Sequence, residues 1–209
     1  MILRYIFLFS SLIYPVSAAE EPAIMKTVRS LYSDKTTLET SFTLHIFWKV
    51  REKEETKSGR MYLAPGEKFR VELGPASWVC NGETFWQSGK DENGEQVVIK
   101  RLADVEVASY PSHLLSNYLG KYRYAEKETK GGIVVVEWKA DTLSHSSEAA
   151  CIRLSIDAKS GVIEKLFIID TNGNESEYAF KKTKFSPRLP GETFEFTVPK
   201  GASVIDMRK

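Results

Sequence analysis

Three histidines, two cysteines and a Ser-His-Ser triplet are the residues of this sequence with the clearest capacity for chemistry, and their spacing supports none. His45 falls on the polar face of a long predicted strand, His113 near the start of a short helix, and His145 in the polar stretch from Thr142 to Ser147. None has a second His, a Cys or a carboxylate at the spacing that holds a zinc ion, so no metal is expected. Ser144-His145-Ser146 reads as a solvated loop, because a nucleophilic triad also needs a carboxylate to orient its base. The sequence contains no G-x-S-x-G elbow, Walker loop or dinucleotide fingerprint. The alternating run Glu52-Lys53-Glu54-Glu55-Thr56-Lys57 suits a solvated hairpin end. Other acids sit mostly in turns or on outer strand faces, unlike the paired carboxylates of glycoside chemistry. The expectation is a protein without catalysis and without a cofactor.

Large apolar side chains at strand spacing are abundant instead. From Phe42 to Val50 every even position is apolar (Phe42, Leu44, Ile46, Trp48, Val50), and the odd positions are mostly polar, which predicts a long strand with one greasy face. The same pattern returns at Gly59 to Leu63, Phe69-Val71-Leu73, Trp78 to Cys80, Thr84 to Trp86, Gln96 to Ile99, Ile133 to Trp138, Cys151 to Asp157, Val162 to Asp170, Glu175 to Lys184 and Thr193 to Val198. Turn chemistry separates the runs: Pro65-Gly66, Asn81-Gly82, Gly131-Gly132, Ser160-Gly161, Asn172-Gly173. About ten strands joined hairpin-fashion predict an antiparallel meander. Phe42, Leu44, Ile46, Trp48, Phe69, Val71 and Trp86 are expected to line an apolar cavity, since one sheet has more greasy face than a few short helices cover.

Helical spacing appears in two places. Glu21 to Asp34 carries Ile24, Met25, Val28, Leu31 and Tyr32 on one side, with Pro22 in the first turn. Leu102 to Tyr124 interrupts the strands, with a turn at Leu102 to Val105 and a short helix between Pro111 and Gly120. Leu114, Leu115, Tyr118 and Leu119 form its apolar side, a lid over the cavity.

The first residues read as an export signal: Arg4, an apolar run from Tyr5 to Tyr14, then Pro15 and the small residues Ser17, Ala18 and Ala19. Residues 1–18 are assigned to that signal and 19–209 to a single domain, placing the mature chain in the periplasm. Removing Arg4 takes Lys+Arg from 29 to 28 against 28 Asp+Glu, so the mature charge is zero. A neutral, mixed-sign chain is a poor partner for nucleic acid or for an anionic membrane surface. Cys80 and Cys151 meet an oxidising compartment, and pairing or two buried thiols both fit their apolar strands.

Read in order, these residues resemble a known family. Gly59-Arg60-Met61-Tyr62-Leu63-Ala64-Pro65-Gly66-Glu67-Lys68-Phe69-Arg70, then Asn81-Gly82-Glu83-Thr84-Phe85-Trp86, then Phe194-Glu195-Phe196-Thr197-Val198-Pro199-Lys200-Gly201-Ala202-Ser203-Val204-Ile205-Asp206 is similar to the LolA family of outer-membrane lipoprotein carriers. The resemblance implies an incomplete antiparallel β-barrel of about eleven strands, with a lid of short α-helices enclosing a hydrophobic cavity. It further implies a monomeric chaperone that takes triacylated lipoproteins from an inner-membrane lipoprotein-releasing ABC transporter and delivers them to an outer-membrane lipoprotein receptor. Phe69 takes the family's apolar aromatic position, and Val71 shares its face. Some relatives hold the lid with a basic residue before the Pro; here that residue is Ala64, so Arg60, Arg70 or apolar contact alone would close it. A carrier of this build for another lipid or glycolipid, or a regulator that senses lipoproteins, would fit the same residues. The pathway's receptor needs a lipidated N-terminal Cys, where this chain has Ala19, Glu20 and Glu21.

Overall fold

A computed structural model describes residues 20–33, 35–92, 94–105, 118–120, 122–140 and 149–208. The described residues form helix α1 (Ile24–Leu31), a helical stretch at 118–120 and twelve strands in a single sheet. The strands are β1 (Leu38–Trp48), β2 (Lys53–Ala64), β3 (Lys68–Leu73), β4 (Ala76–Asn81), β5 (Thr84–Asp91), β6 (Gly94–Arg101), β7 (Ala125–Lys130), β8 (Ile133–Lys139), β9 (Ala149–Asp157), β10 (Ile163–Asp170), β11 (Glu175–Phe185) and β12 (Ser203–Asp206). Their order is β12-β6-β5-β4-β3-β2-β1-β11-β10-β9-β8-β7. The sheet is open, since β12 and β7 stand at opposite edges.

This corrects the single meander in two ways. The chain forms two antiparallel runs, β1–β6 and β7–β11, sealed by β1 pairing with β11 from Leu38 opposite Phe185 to Phe47 opposite Glu175. The last strand then lies parallel to β6, with Ser203 beside Gln96 and Asp206 beside Ile99. The barrel of about eleven strands becomes an open sheet of twelve. The Thr193 to Val198 run is not a strand: Gly191–Phe194 forms a 3-10 turn and the chain beyond it is irregular until β12.

Register divides the side chains between two faces. Leu38, Thr40, Phe42 and Leu44 of β1 are buried on the inner face, beside Met61, Phe69, Val71, Cys80 and Phe85 on one flank. Leu166, Ile168, Ile152, Leu154, Ile156, Val134 and Val136 continue it on the other flank. Thr40 is satisfied there, with its hydroxyl 2.9 Å from Thr183 Oγ1. That contact follows from an extra residue in β11, where Glu39 faces Lys184 but Ser41 faces Lys181 and Lys182 adopts φ 56°.

Helix α1 closes one end of this face. It is shorter than the predicted 21–34 span, and Met25 and Val28 are fully buried beneath it, worth roughly 1.5–3 kcal/mol apiece. Tyr32 meets Phe185 edge-on at 5.1 Å, and its hydroxyl accepts from Ile163 N–H at 2.9 Å. Gly161 permits the docking: at φ +74° a Cβ would stand 2.8 Å from Thr27 Cγ2. The connection from β6 to β7 must travel between strands near opposite edges. Its residues Leu119, Tyr122 and Tyr124 are buried in the same inner core as Met25 and Phe42.

Candidate apolar binding face

The predicted cavity residues separate cleanly by position. Phe42, Leu44, Ile46 and Trp48 share the inner face of β1, because residues two apart on a strand point the same way. Phe69 and Val71 join them across β2: Leu38 faces Leu63, and Leu63 faces Phe69. Aromatic contacts tie the patch together, with Phe42 at 5.7 Å from Tyr178, Tyr178 at 6.2 Å from Phe180, and Phe69 at 6.2 Å from Phe85. Burial falls along β1 from 4% exposure at Phe42 and Leu44, through half-buried Ile46, to 37% at Trp48. The patch is therefore covered near α1 and emerges at the opposite end of the strand.

Trp86 does not belong to this set. Cys80 pairs with Phe85 on the inner face, so Trp86, one residue on, pairs with Val79 on the outer face. There it stacks on Phe196 at 6.3 Å beside Val97 and Ile99, next to the segment that carries buried Phe194. Arg70 fastens that segment, donating from Nε to the Thr193 carbonyl at 2.6 Å and from Nη2 to the Glu195 carbonyl at 2.7 Å. Arg60 lies on the same side of the sheet, paired with Glu72 at 3.0 Å. Among the described residues, neither arginine bonds to the segment that covers the inner face.

Arg29 does. From the far side of α1 its Nε donates to the Leu119 carbonyl at 2.7 Å and its Nη2 to the Tyr122 carbonyl at 3.2 Å. Glu21 completes the arrangement with two 2.6 Å bonds to Arg29 and by accepting from Tyr124 N–H at 3.2 Å. The Arg29 hydrogen bonds hold the Glu21 carboxyl below the usual range, and Glu21 in turn raises Arg29. Glu21, placed by sequence at the charged start of a helix, is spent on this tie. Arg29 carried no sequence signal, because a lone cation on a helix usually faces solvent.

Of the predicted lid residues, Tyr118 and Leu119 are helical and reach the inner core. Tyr118 stacks on Tyr122 at 5.9 Å, Tyr122 meets Trp138 at 4.0 Å, and the Tyr124 hydroxyl donates to the Tyr118 carbonyl at 2.9 Å. Burial pushes the Tyr178 hydroxyl up to about 12 and Tyr124 higher still, so both stay neutral. Leu114, Leu115, His113 and His145 lie outside the described residues. His45 is exposed, 3.4 Å from Glu54. Among the described residues no three His, Cys, Asp or Glu side chains converge as metal ligands. Cys80 and Cys151 are both free and buried; Cys80 faces inward on β4, whereas Cys151 lies outward on β9 near Glu137.

The outer face offers the opposite chemistry. Across β7–β11 it carries a depression of about 490 Å³ lined by Lys127, Glu137, Arg153, Lys165 and Glu177 around Phe167. Apolar chains gain nothing among those charges. The described residues thus form an open sheet with one continuous apolar, aromatic face, capped by a short helix and crossed by a segment tied to that helix.

Comparison with known proteins gives that architecture a family. The model of the outer membrane lipoprotein carrier protein LolA matches residues 33–197, and the chain belongs to this family. An outer-membrane lipoprotein carrier protein of Dechloromonas aromatica is 24% identical over 172 residues, covering 81% of each chain. Another, from Pseudomonas fluorescens (strain Pf0-1), is 26% identical over 195 residues and covers 90% of each. An uncharacterized conserved protein of Thermus thermophilus shares the fold, with a TM-score of 0.52, 17% identity, and coverage of 88% of this chain and 96% of that one.

Proposed function

We propose that the chain is a non-enzymatic periplasmic carrier that binds lipoprotein acyl chains on the inner face of its sheet. It takes triacylated lipoproteins from an inner-membrane ABC transporter and passes them to an outer-membrane receptor. The observation that carries this reading is the apolar stripe Phe42-Leu44-Ile46-Trp48 with Phe69 and Val71, buried at one end and open at the other. Family membership and the names of the relatives support the cargo class.

The energetics fit reversible transport. An acyl chain of about 16 carbons carries on the order of 12 kcal/mol of transfer free energy, at roughly 0.8 kcal/mol per CH₂. Complete burial of three such chains would hold them too tightly to release. In the covered state Phe42, Leu44, Phe69 and Val71 are nearly inaccessible, so chains reach them only as Tyr118, Leu119 and Tyr122 lift away. Tyr118, Leu119 and Tyr122 act as the lid, and they satisfy the face when cargo is absent, which keeps net affinity moderate.

Purification from the periplasm followed by mass spectrometry of bound material tests the reading. Wild type is compared with Phe69→Glu and with Ile46→Asp, the second at a half-buried site that tolerates substitution better. Triacylated lipoproteins present with wild type and lost in both variants are the expected result. A bound phospholipid or glycolipid instead would keep the site and change the cargo. No bound lipid of any kind would leave the stripe as core and sink the carrier reading.

A further inference from the structure

The turn joining β1 to β2 combines exposed apolar side chains with unpaired cations. Val50 is 87% exposed and Trp48 37%, and both lie at the end where the inner stripe emerges. Lys49, Arg51 and Lys53 are exposed around them, and none makes an ion pair among the described residues. The acids nearest the turn are Glu52, Glu54 with His45 3.4 Å away, Glu55 paired with Lys57 at 3.1 Å, and Glu175 opposite Phe47. The turn is formed rather than loose: Arg51 N–H donates to the Trp48 carbonyl at 3.1 Å, and Lys49 N–H donates to Asn174 Oδ1 at 3.1 Å in the neighbouring β10–β11 turn.

We propose that this turn is a membrane-contacting edge, with Trp48 and Val50 entering the bilayer interface and Lys49, Arg51 and Lys53 holding anionic headgroups. Trp is favoured at the headgroup level of a bilayer, where its ring is apolar and its N–H wet. Lys and Arg lay their apolar stems along the interface and extend their charges to phosphate. Such a segment binds through buried apolar area plus attraction to anionic lipid. Three unpaired cations beside two exposed apolar side chains match phosphate above hydrocarbon. Contact there would bring the open end of the inner stripe against lipid, with the covered end at α1 facing away. This inference stands whatever the inner face carries.

The test uses the full mature chain and vesicles of phosphatidylethanolamine with phosphatidylglycerol, against vesicles of phosphatidylcholine. Wild type is expected to sediment with the anionic vesicles, with tryptophan quenched by brominated lipid. Val50→Asp should reduce binding by about fivefold or more, and Lys49→Gln with Arg51→Gln should abolish the preference for anionic vesicles. Val50 is exposed, so circular dichroism should be unchanged by the first variant. Wild type that ignores vesicles, or Val50→Asp that binds as well as wild type, would overturn the proposal. So would a photo-crosslinker at position 50 that captures protein and no lipid. Cargo is measured on the same preparations: vesicle binding that depends on Val50, with no cargo in wild type, would refute the carrier reading and leave this one intact.

Discussion

Arg29 and Glu21 form a two-bonded ion pair, both contacts 2.6 Å long, and Arg29 also bonds the carbonyls of Leu119 and Tyr122. In the proposed carrier this tie would bias the inner face toward its covered arrangement. Arg29→Leu removes every one of these bonds and leaves the Glu21 carboxylate with only the Tyr124 N–H. Hydrogen bonds to charged groups contribute about 1.5–3 kcal/mol each, so the covered state should weaken by about 2 kcal/mol or more. Amide exchange at residues 118–124 should then accelerate about tenfold or more, while the strands of the core keep their protection.

Phe42 lies across Gly59. A Cβ built there would stand 2.6 Å from Phe42 Cζ and 2.5 Å from the Glu72 carbonyl oxygen, and the second of these is backbone. Gly59→Ala should therefore destabilise by roughly 1–3 kcal/mol through overpacking, although the larger residue favours a strand. Thermal unfolding measures it, and the Phe42→Leu background should recover part of the loss. An unchanged Tm would mean that β2 and β3 shift apart freely at this point.

Glu137 is nearly buried, with a side-chain exposure of 4%, and three cations surround it: Arg153 at 2.8 Å, Lys127 at 3.3 Å and Lys139 at 3.4 Å. Burial alone would raise its pKa, but the hydrogen bonds from these cations prevail and lower it from 4.5 to about 2. A depressed carboxylate stabilises the fold fully above its unfolded value and loses that contribution as pH falls through the folded one. The stabilisation, on the order of 3 kcal/mol, should disappear between about pH 4.5 and 2. Denaturant melts of Glu137→Gln should show a lower stability at neutral pH and a shallower acid slope than wild type.

The two thiols should stay unpaired and unreactive in the native protein. Burial raises both Cys80 and Cys151, with the Glu137 carboxylate adding to the effect at Cys151. They sit on opposite sides of the sheet, on β4 and β9, so no local movement brings them to bridging distance. Thiol titration should find no rapid reaction in native buffer and both groups in denaturant. A disulfide in protein isolated from the periplasm would contradict this placement.

Trp86 gives a control for the site assignment. Trp86→Ala should lower stability by about 1–2 kcal/mol through loss of a half-buried aromatic packed against Phe196. Cargo recovered per folded molecule should not change, in contrast to Phe69→Glu. Equal loss of cargo in both variants would place Trp86 with the inner stripe after all.

The alternation of apolar and polar residues makes most of the sheet legible in the sequence. Phe42 to Trp48, Phe69 to Leu73 and Cys151 to Asp157 each declare one greasy face, and Gly-containing pairs mark the turns between them. Two strands escaped that reading because they have no such face. β7 has six exposed residues, most of them charged, as suits a guarded sheet edge, and β12 is four residues long and pairs in parallel with a distant strand. Helix α1 was legible from its apolar spacing, though not its docking on Gly161 and Ile163. Alternation says that a strand has an apolar side, but it does not say which side of the sheet that is. The parity of each pairing settles that: Cys80 faces Phe85, so Trp86 must turn outward. The tie through Arg29 was equally invisible, because its partners Leu119 and Tyr122 lie 90 and 93 residues away and contribute backbone carbonyls. Every residue offers such a carbonyl, so side-chain identity cannot announce the contact. Local patterning thus specified the strands and their chemistry, while long-range pairing assigned the faces, the cover and the group that holds it.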